Sequence, residues 1–419
     1  MASIARKNLF EDIPRFLVAQ AGIMFAVSLV TIQTGILRGF TRSTTLLIDQ
    51  SQADLWVASK DMVQVELTLP LAVDQLRVAQ QVTGVGRAEA LIFRPALWRN
   101  SQDEIAPVRV VGFDPQGQLF APQNIIQGNL SALKQPFSVM VDETNADSLK
   151  LKALNAQGAI GSLPARLIGL TRGTQSMVSS SFLFTSLENA NAYVNAPVSS
   201  NLQCRSQTGS DEVQCTNTYE TAPAGAGPLN ASPTTPRRLN LGDPITYILI
   251  RAQPNQDLGV LKKRLETTLP NTHAYTRAEM AAKTRNYWQK RTGIGFVLGL
   301  GAAVGIIVGV VIVGQILYSS VSDHLREFGT LKAMGASDWV IYSVIVEQAL
   351  WMAVLGYLPS LVLCFGVSTW TSATQGILIL ITPATAFGVF GITIVMCVSS
   401  ALFAIQKVTR VDPAIVFKA

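Results

Sequence analysis

The stretch SSVSDHLREFGTLKAMGASDW, residues Ser319–Trp339, is short, polar to amphipathic, and lies between two long apolar runs. Ile294–Tyr318 before it carries no charge, and Val340–Val367 after it carries Glu347 alone. Runs of this length cross a hydrocarbon core of about 30 Å as helices. The segment between them must therefore lie at one membrane face and bring its own structure. Leu325, Phe328, Leu331 and Lys332 recur at three- and four-residue spacing, with His324, Arg326 and Glu327 turned elsewhere, which predicts a helix over Asp323–Met334. Ser322 or Asp323 is placed to cap its start and Gly335 to stop its end. A helix held along a membrane between two spans is well placed to be pushed by something outside the bilayer.

Working outward, four runs qualify as spans: residues 17–37, 294–318, 340–367 and 380–405. The mean hydropathy is +0.31. Charged residues make up 14% of the chain, against roughly 25% in an average soluble protein. Residues 38–293, between the first two spans, have ordinary globular composition and enough length for a real core. Arg6, Lys7 and Arg15 precede the first span, Arg326 and Lys332 lie in the 319–339 loop, and Lys407, Arg410 and Lys418 lie in the tail, whereas residues 369–379 carry no charge. The positive-inside rule then places both termini and the 319–339 loop in the cytoplasm and 38–293 outside. The formal net charge of +6 is spread mostly through 38–293 and gives no reason to expect nucleic acid as a partner. The fold class is thus an α-helical membrane protein with four transmembrane helices, arranged one plus three, and a large mixed α+β extracytoplasmic domain of two subdomains. Residues 1–16 place Ile4, Leu9, Phe10, Ile13 and Phe16 among charges, the pattern of an amphipathic helix on the inner membrane surface; residues 406–419 form a cytoplasmic tail.

Within 38–293, Ala53–Ser59, Val85–Leu97 and Val108–Phe113 read as strands and Leu71–Val82 as a helix. Near the end the order recurs: strand Thr246–Arg251, helix Gln256–Leu269, strand Thr272–Thr276. The two ends are expected to fold together, with strands at Phe137–Val141, Ala159–Leu170 and Phe182–Thr185 inserted between them. Residues 195–244 shift to Ser, Thr, Asn, Gly and Pro and read as a flexible loop. It holds Cys204 and Cys215, whose spacing can close a disulfide in an oxidising compartment, or leave two free thiols. Cys364 and Cys397 fall inside spans. Arg277–Arg291 is a helix pattern that runs into the second span, and together they are expected to make one stiff rod from Arg277 to Tyr318. In that span Gly295, Gly299, Gly301, Gly305 and Gly309 form a ladder that suits close helix packing, either between two copies of the chain or within one.

No GxxxxGK[ST], HExxH or GxSxG pattern occurs, and the two histidines, His273 and His324, fall on opposite sides of the membrane. No metal site, bound cofactor or catalytic residue is therefore expected. Glu347, the only charge in its span, is expected to pair with the 319–339 segment at the interface.

REFGTLKAMGAS (Arg326–Ser337), followed by a span with Glu347 and then LGYLPS (Leu355–Ser360), resembles the permease subunits of FtsX/MacB-like ABC transporters, and within them the DevC branch of cyanobacterial exporters. RKNLFEDIPRF (Arg6–Phe16), the tail Gln406–Ala419, and the stretches ADLWV (Ala53–Val57) and VVGFDP (Val110–Pro115) extend the resemblance. It implies a MacB-like periplasmic core and a multi-pass protein of the bacterial inner membrane. It also implies that 319–339 is a coupling helix seated on a separate ABC ATPase, which alone binds ATP and Mg. Phe328, Leu331 and Met334 would then be apolar contacts, Arg326, Glu327 and Lys332 polar ones, and Gly335 the stop. The resemblance further implies a homodimer, mechanotransmission to the outer domain, a periplasmic adaptor (a membrane fusion protein) and a TolC-like outer-membrane channel. The alternative in the same superfamily is a relay that does not export, extracting lipoproteins or activating a periplasmic hydrolase.

Overall fold

The computed structural model describes residues 12–151, 153–196, 200–206, 213–219, 235–375 and 377–409. Residues 1–11, 197–199, 207–212 and 220–234 of the 195–244 loop, and 410–419 of the tail lie outside the described residues. The chain divides into two compact units, Thr41–Arg291 and a second one made of the residues up to Phe40 together with those from Thr292 onward. The first helix, α1 (Ile13–Gln50), begins in the second unit and ends in the first.

The Thr41–Arg291 unit is built on one ten-stranded mixed sheet. Its elements are β1 (Leu55–Ser59), β2 (Leu71–Ala72), α2 (Val73–Gln81), β3 (Val85–Arg99), β4 (Ile105–Phe113), β5 (Ile125–Gln127), β6 (Ser138–Asp142), α3 (Glu143–Ser148), β7 (Gln157–Ile160), β8 (Leu163–Thr171), β9 (Ser181–Ser186), α4 (Leu187–Val194), β10 (Ser200–Ser206), β11 (Val213–Tyr219), β12 (Pro244–Ile245), β13 (Tyr247–Ala252), α5 (Leu258–Thr268), β14 (Thr272–Thr276) and α6 (Arg277–Thr292). The sheet order is β14-β1-β13-β3-β4-β9-β6-β8-β5, with β7 bridging β3 and β8. As expected, the two ends of this stretch meet: β1 lies between β13 and β14, antiparallel to both. β3 joins that set to the inserted strands, because it pairs with β13 through Leu91 and with β4 from Ile92 onward.

Strands covered on both faces read as continuous apolar runs, and β1 (LWVAS) is buried at every position. Leu55 and Val57 face one core with Ile248, Ile250 and Leu183, while Trp56 faces the other with Tyr247, Leu249 and Phe184. Each such aliphatic side chain contributes about 1.5–3 kcal/mol on burial. The Trp56 and Tyr247 rings meet edge to face with centroids 5.3 Å apart, and the Tyr247 hydroxyl donates to the Val65 carbonyl at 2.6 Å. Asp257 caps α5 by accepting from Gly259 N at 2.7 Å and Val260 N at 3.1 Å. At the entry to β12, Asp243 accepts from both terminal nitrogens of Arg237 at 2.6 Å and from Asn240 N. These bonds, the Arg237 guanidinium foremost, hold its carboxyl below the usual aspartate range. In the 195–244 segment, β10 and β11 form an antiparallel hairpin in which Cys204 and Cys215 occupy directly opposite positions.

The other unit contains α1, α7 (Ile294–Asp323), α8 (Leu325–Ala333), α9 (Asp338–Gln375) and α10 (Pro383–Thr409). All of these except α8 are long and apolar enough to cross a membrane. α1 and α7 run antiparallel in close contact. A side-chain carbon added at Gly309 would strike Ala26, at Gly305 Leu29 and at Gly301 Gln33, so the partner number falls as the glycine number rises. α10 closes on the same helix: Met396 covers Gly309, and the Ser400 hydroxyl donates to the Val310 carbonyl at 2.9 Å. α9 carries Pro359 in its interior, which removes one helix hydrogen bond, and its Tyr357 hydroxyl donates to the Ala386 carbonyl at 2.8 Å.

The stiff rod expected from Arg277 to Tyr318 is interrupted. α6 stops at Thr292, and Gly293 takes a left-handed conformation (φ +61°, ψ +8°) before α7 begins at Ile294. A left-handed residue breaks the helical hydrogen-bond ladder, and glycine enters that region without a steric penalty.

Candidate functional site

The Ser319–Trp339 segment folds as three parts. α7 continues through Ser319–Asp323, α8 occupies Leu325–Ala333, and α9 begins at Asp338. His324 (φ −95°, ψ +17°) is the joint between α7 and α8, and its side chain makes no capping bond. The expected cap at Ser322 or Asp323 is thus displaced, because α7 itself runs through both residues. At the other end Met334 N donates to Thr330 O at 3.0 Å, Gly335 N donates to Lys332 O at 3.1 Å, and Gly335 is left-handed with φ +92°. Gly335 therefore stops the helix where the sequence led us to expect.

The side chains of this segment face in two directions. Phe328 is 3% exposed and belongs to the apolar core shared with Val321, Ile341 and Ile345. Expected as a contact for a partner, it is instead a core residue of its own chain; the helical spacing that turns it to an apolar surface does not say whose surface that is. Met334 is 71% exposed and Trp339 78% exposed. Glu327 is also open, and its carboxylate meets His324 Nδ1 at 3.2 Å. Lys332 is half-buried. For Arg326 and Leu331 the backbone in α8 is described and the side chains are not. Glu347 is half-buried on α9 with no ion pair among the described side chains, which do not include that of Arg326.

Two contributors escaped the sequence reading. Arg15, at the start of α1, pairs with Asp323, the last residue of α7, and with Asp12 at 3.1 Å. Trp339, at the start of α9, has the character of an interfacial tryptophan, and its position at the edge of an apolar run was the available signal. The Arg15–Asp323 pair carried no signal, because 308 residues separate its partners.

The glycine ladder divides. Gly301, Gly305 and Gly309 are filled by neighbours within the chain, which corrects their expected role as a seam between two copies. Gly295 and Gly299 have nothing within 4 Å of an added side-chain carbon. Around them Phe296, Val297 and Leu300 are 75%, 63% and 54% exposed.

With this geometry in view, residues 299–413 match the family model described as FtsX-like permease C-terminal. The chain carries an FtsX-like permease segment. That segment takes in most of α7 and all of α8, α9 and α10. Among curated proteins the chain is similar to the pyoverdine export ATP-binding/permease protein PvdT of Pseudomonas savastanoi pv. phaseolicola, 29% identical over 145 residues, which covers 35% of this chain and 21% of that protein. To the PvdT of Pseudomonas syringae pv. tomato it is 24% identical over 171 residues, covering 40% of this chain and 26% of the relative. The matched stretch thus spans about a quarter of the length of these relatives. Among solved structures, the periplasmic region of MacB from Actinobacillus actinomycetemcomitans aligns with a TM-score of 0.35 and 10% identity, covering 57% of this chain and 96% of that one. The extracellular domain of the transporter YknZ from Gram-positive bacteria aligns with a TM-score of 0.33 and 10% identity, covering 54% and 99%.

Proposed function

We propose that this chain is the membrane subunit of an ABC-type exporter of the FtsX/MacB kind in a bacterial inner membrane. Both termini and the 319–339 segment are then cytoplasmic, and residues 38–293 lie outside. One observation carries the reading. Inside the FtsX-like segment, a nine-residue helix sits between two membrane-length helices and leaves Met334 and Trp339 open at its end. An open apolar pair beside Glu327 and Lys332 is a fitting seat for another protein. The relatives are named as ATP-binding/permease proteins, whereas no phosphate-binding loop pattern occurs in this sequence. In the proposed arrangement ATP and Mg are held by an ABC ATPase outside residues 1–419, and these residues supply the membrane part of the work.

In this reading, closure of two ATPases pushes α8, and the core around Phe328 passes the push to α7 and α9. Two copies of the chain meet along the open Gly295–Gly299 face. The motion is then relayed to residues 38–293 by mechanotransmission. A periplasmic adaptor and a TolC-like channel complete the export path, as in the DevC branch.

The test is purification of the tagged full chain in mild detergent, with mass spectrometry of what accompanies it. Recovery of a P-loop ATPase and a periplasmic adaptor is expected. Met334→Asp should release the ATPase, because it puts a charge into an apolar seat. ATPase retention in that variant would remove α8 from the interface. Recovery of the ATPase without an adaptor would favour lipoprotein extraction or hydrolase activation.

A further inference from the structure

The Thr41–Arg291 unit contains a cavity of ≈ 420 Å³ that the export reading leaves unused. It lies where β3 changes partners. β13 pairs with β3 only through Leu91, and β7 meets it only at Trp98 and Arg99. Between them, Arg94–Ala96 have no strand on that edge among the described residues, and Pro95 lacks the N–H that such a neighbour would need. Gly161, Ser162 and Ala196 line it beside the larger Trp98 and Tyr193.

The cavity has an apolar part and a polar part. Leu97 and Ile105 line it and are 43% and 42% exposed, large apolar groups kept out of either core. Ile160 adds to that wall. The polar part offers donors: Arg99, Arg109, Ser162 and Ser180 line the cavity, and no carboxylate does among the described residues. Arg109 is only partly engaged. Its Nη2 meets Glu66 at 2.9 Å, but its Nε is buried with no hydrogen-bond partner. A buried donor on a charged group without an acceptor is costly, and an oxygen atom brought by a ligand would satisfy it. The volume falls within the range of small-molecule sites, which pair an apolar lining with a few convergent polar groups.

We propose that this cavity binds a single-chain amphiphile, with the acyl chain against Leu97, Ile105 and Ile160 and an anionic oxygen head on the free Nε of Arg109. The inference does not depend on the ATPase, the adaptor or the direction of transport. A fatty acid and a lysophospholipid share this chemistry.

The experiment uses the full chain in phosphatidylcholine nanodiscs, irradiated with a diazirine-bearing palmitic acid, and the labelled peptides are mapped by mass spectrometry. Label is expected in peptides from Pro95–Arg109, beyond any label in the membrane helices. Displacement by excess palmitate identifies a fatty-acid site, and displacement by lysophosphatidylglycerol alone identifies a lysophospholipid site. Displacement by neither overturns the proposal. Leu97→Trp fills the cavity from a partly open position and should lower this labelling at least tenfold; Ile105→Trp does the same from β4 if the first variant misfolds. Arg109→Gln should lower it about tenfold, the scale of one lost charge-assisted bond. Label confined to the membrane helices, or equal labelling in both tryptophan variants, would refute the site. Unchanged labelling in Arg109→Gln would refute the head-group assignment.

Discussion

The first turns of α7 and its later turns carry the same small-residue spacing and have opposite surroundings. Gly295 and Gly299 stand open beside Phe296 and Leu300, whereas Gly305 and Gly309 are pressed against Leu29, Ala26 and Met396. α8 repeats the contrast within nine residues, with Phe328 in the core and Met334 just past its end in the open. Residues with equal credentials in the sequence therefore divide into those that hold the chain together and those free to meet something else. Spacing says that a face exists, and packing says what covers it.

The strongest test of that division lies on α8. Phe328→Ala removes a buried aromatic and should cost about 3–5 kcal/mol, seen as a large drop in thermal stability in detergent. Met334→Ala should stay within about 0.5 kcal/mol and act on ATPase recovery alone. Equal stability losses in the two variants would erase the distinction.

Cysteines give a second contrast, between the facing pair Cys204 and Cys215 and the singly buried Cys364 and Cys397. Directly opposite residues of an antiparallel pair have Cα atoms about 4.5–5.5 Å apart, inside the range a disulfide spans. Such a bridge should be worth about 2–3 kcal/mol. Thiol titration of the unfolded, unreduced chain should find two reactive groups, rising to four on reduction. Four before reduction would mean that the hairpin is unbridged.

On α7 itself, Gly305→Leu meets the Leu29 side chain, whose Cδ2 is 2.9 Å from the first added carbon. Overpacking of this kind costs about 1–3 kcal/mol, whereas Gly299→Leu should leave stability unchanged and weaken crosslinking between copies. Stability loss at Gly299 with none at Gly305 would reverse the assignment of the two faces.

Polar ties divide in the same way. Arg15–Asp323 is about half exposed on both sides and should contribute little, whereas Asp243 is largely buried under Arg237. Because its folded pKa is lowered, its contribution is present above the unfolded value of about 3.9 and is lost as pH falls through the lower folded value. Asp243→Asn should cost about 1–3 kcal/mol at pH 7 and progressively less below pH 4. A cost independent of pH would show that the carboxylate charge plays no part. Gly293→Ala should lower thermal stability by about 1–2 kcal/mol from the left-handed backbone alone, since no side chain lies near enough to clash.

Much of the architecture was legible in the linear chain. Four apolar runs announced four membrane-length helices, because the length of such a run is a local property that the bilayer reads directly. The run Ala53–Ser59 announced a strand, and Gly335 announced the end of α8. Each of these depends on a residue and its near neighbours. The Arg15–Asp323 pair, the division of the glycine ladder, the inward turn of Phe328 and the cavity beside Pro95 depend on segments far apart in the chain. The left-handed turn at Gly293 was local but permitted rather than required, since glycine also sits inside helices elsewhere in α7. Sequence alone determined which elements form, because hydrogen bonding and apolar periodicity are set within a few residues. Tertiary structure decided which faces remain free, because burial is shared between surfaces that only folding brings together.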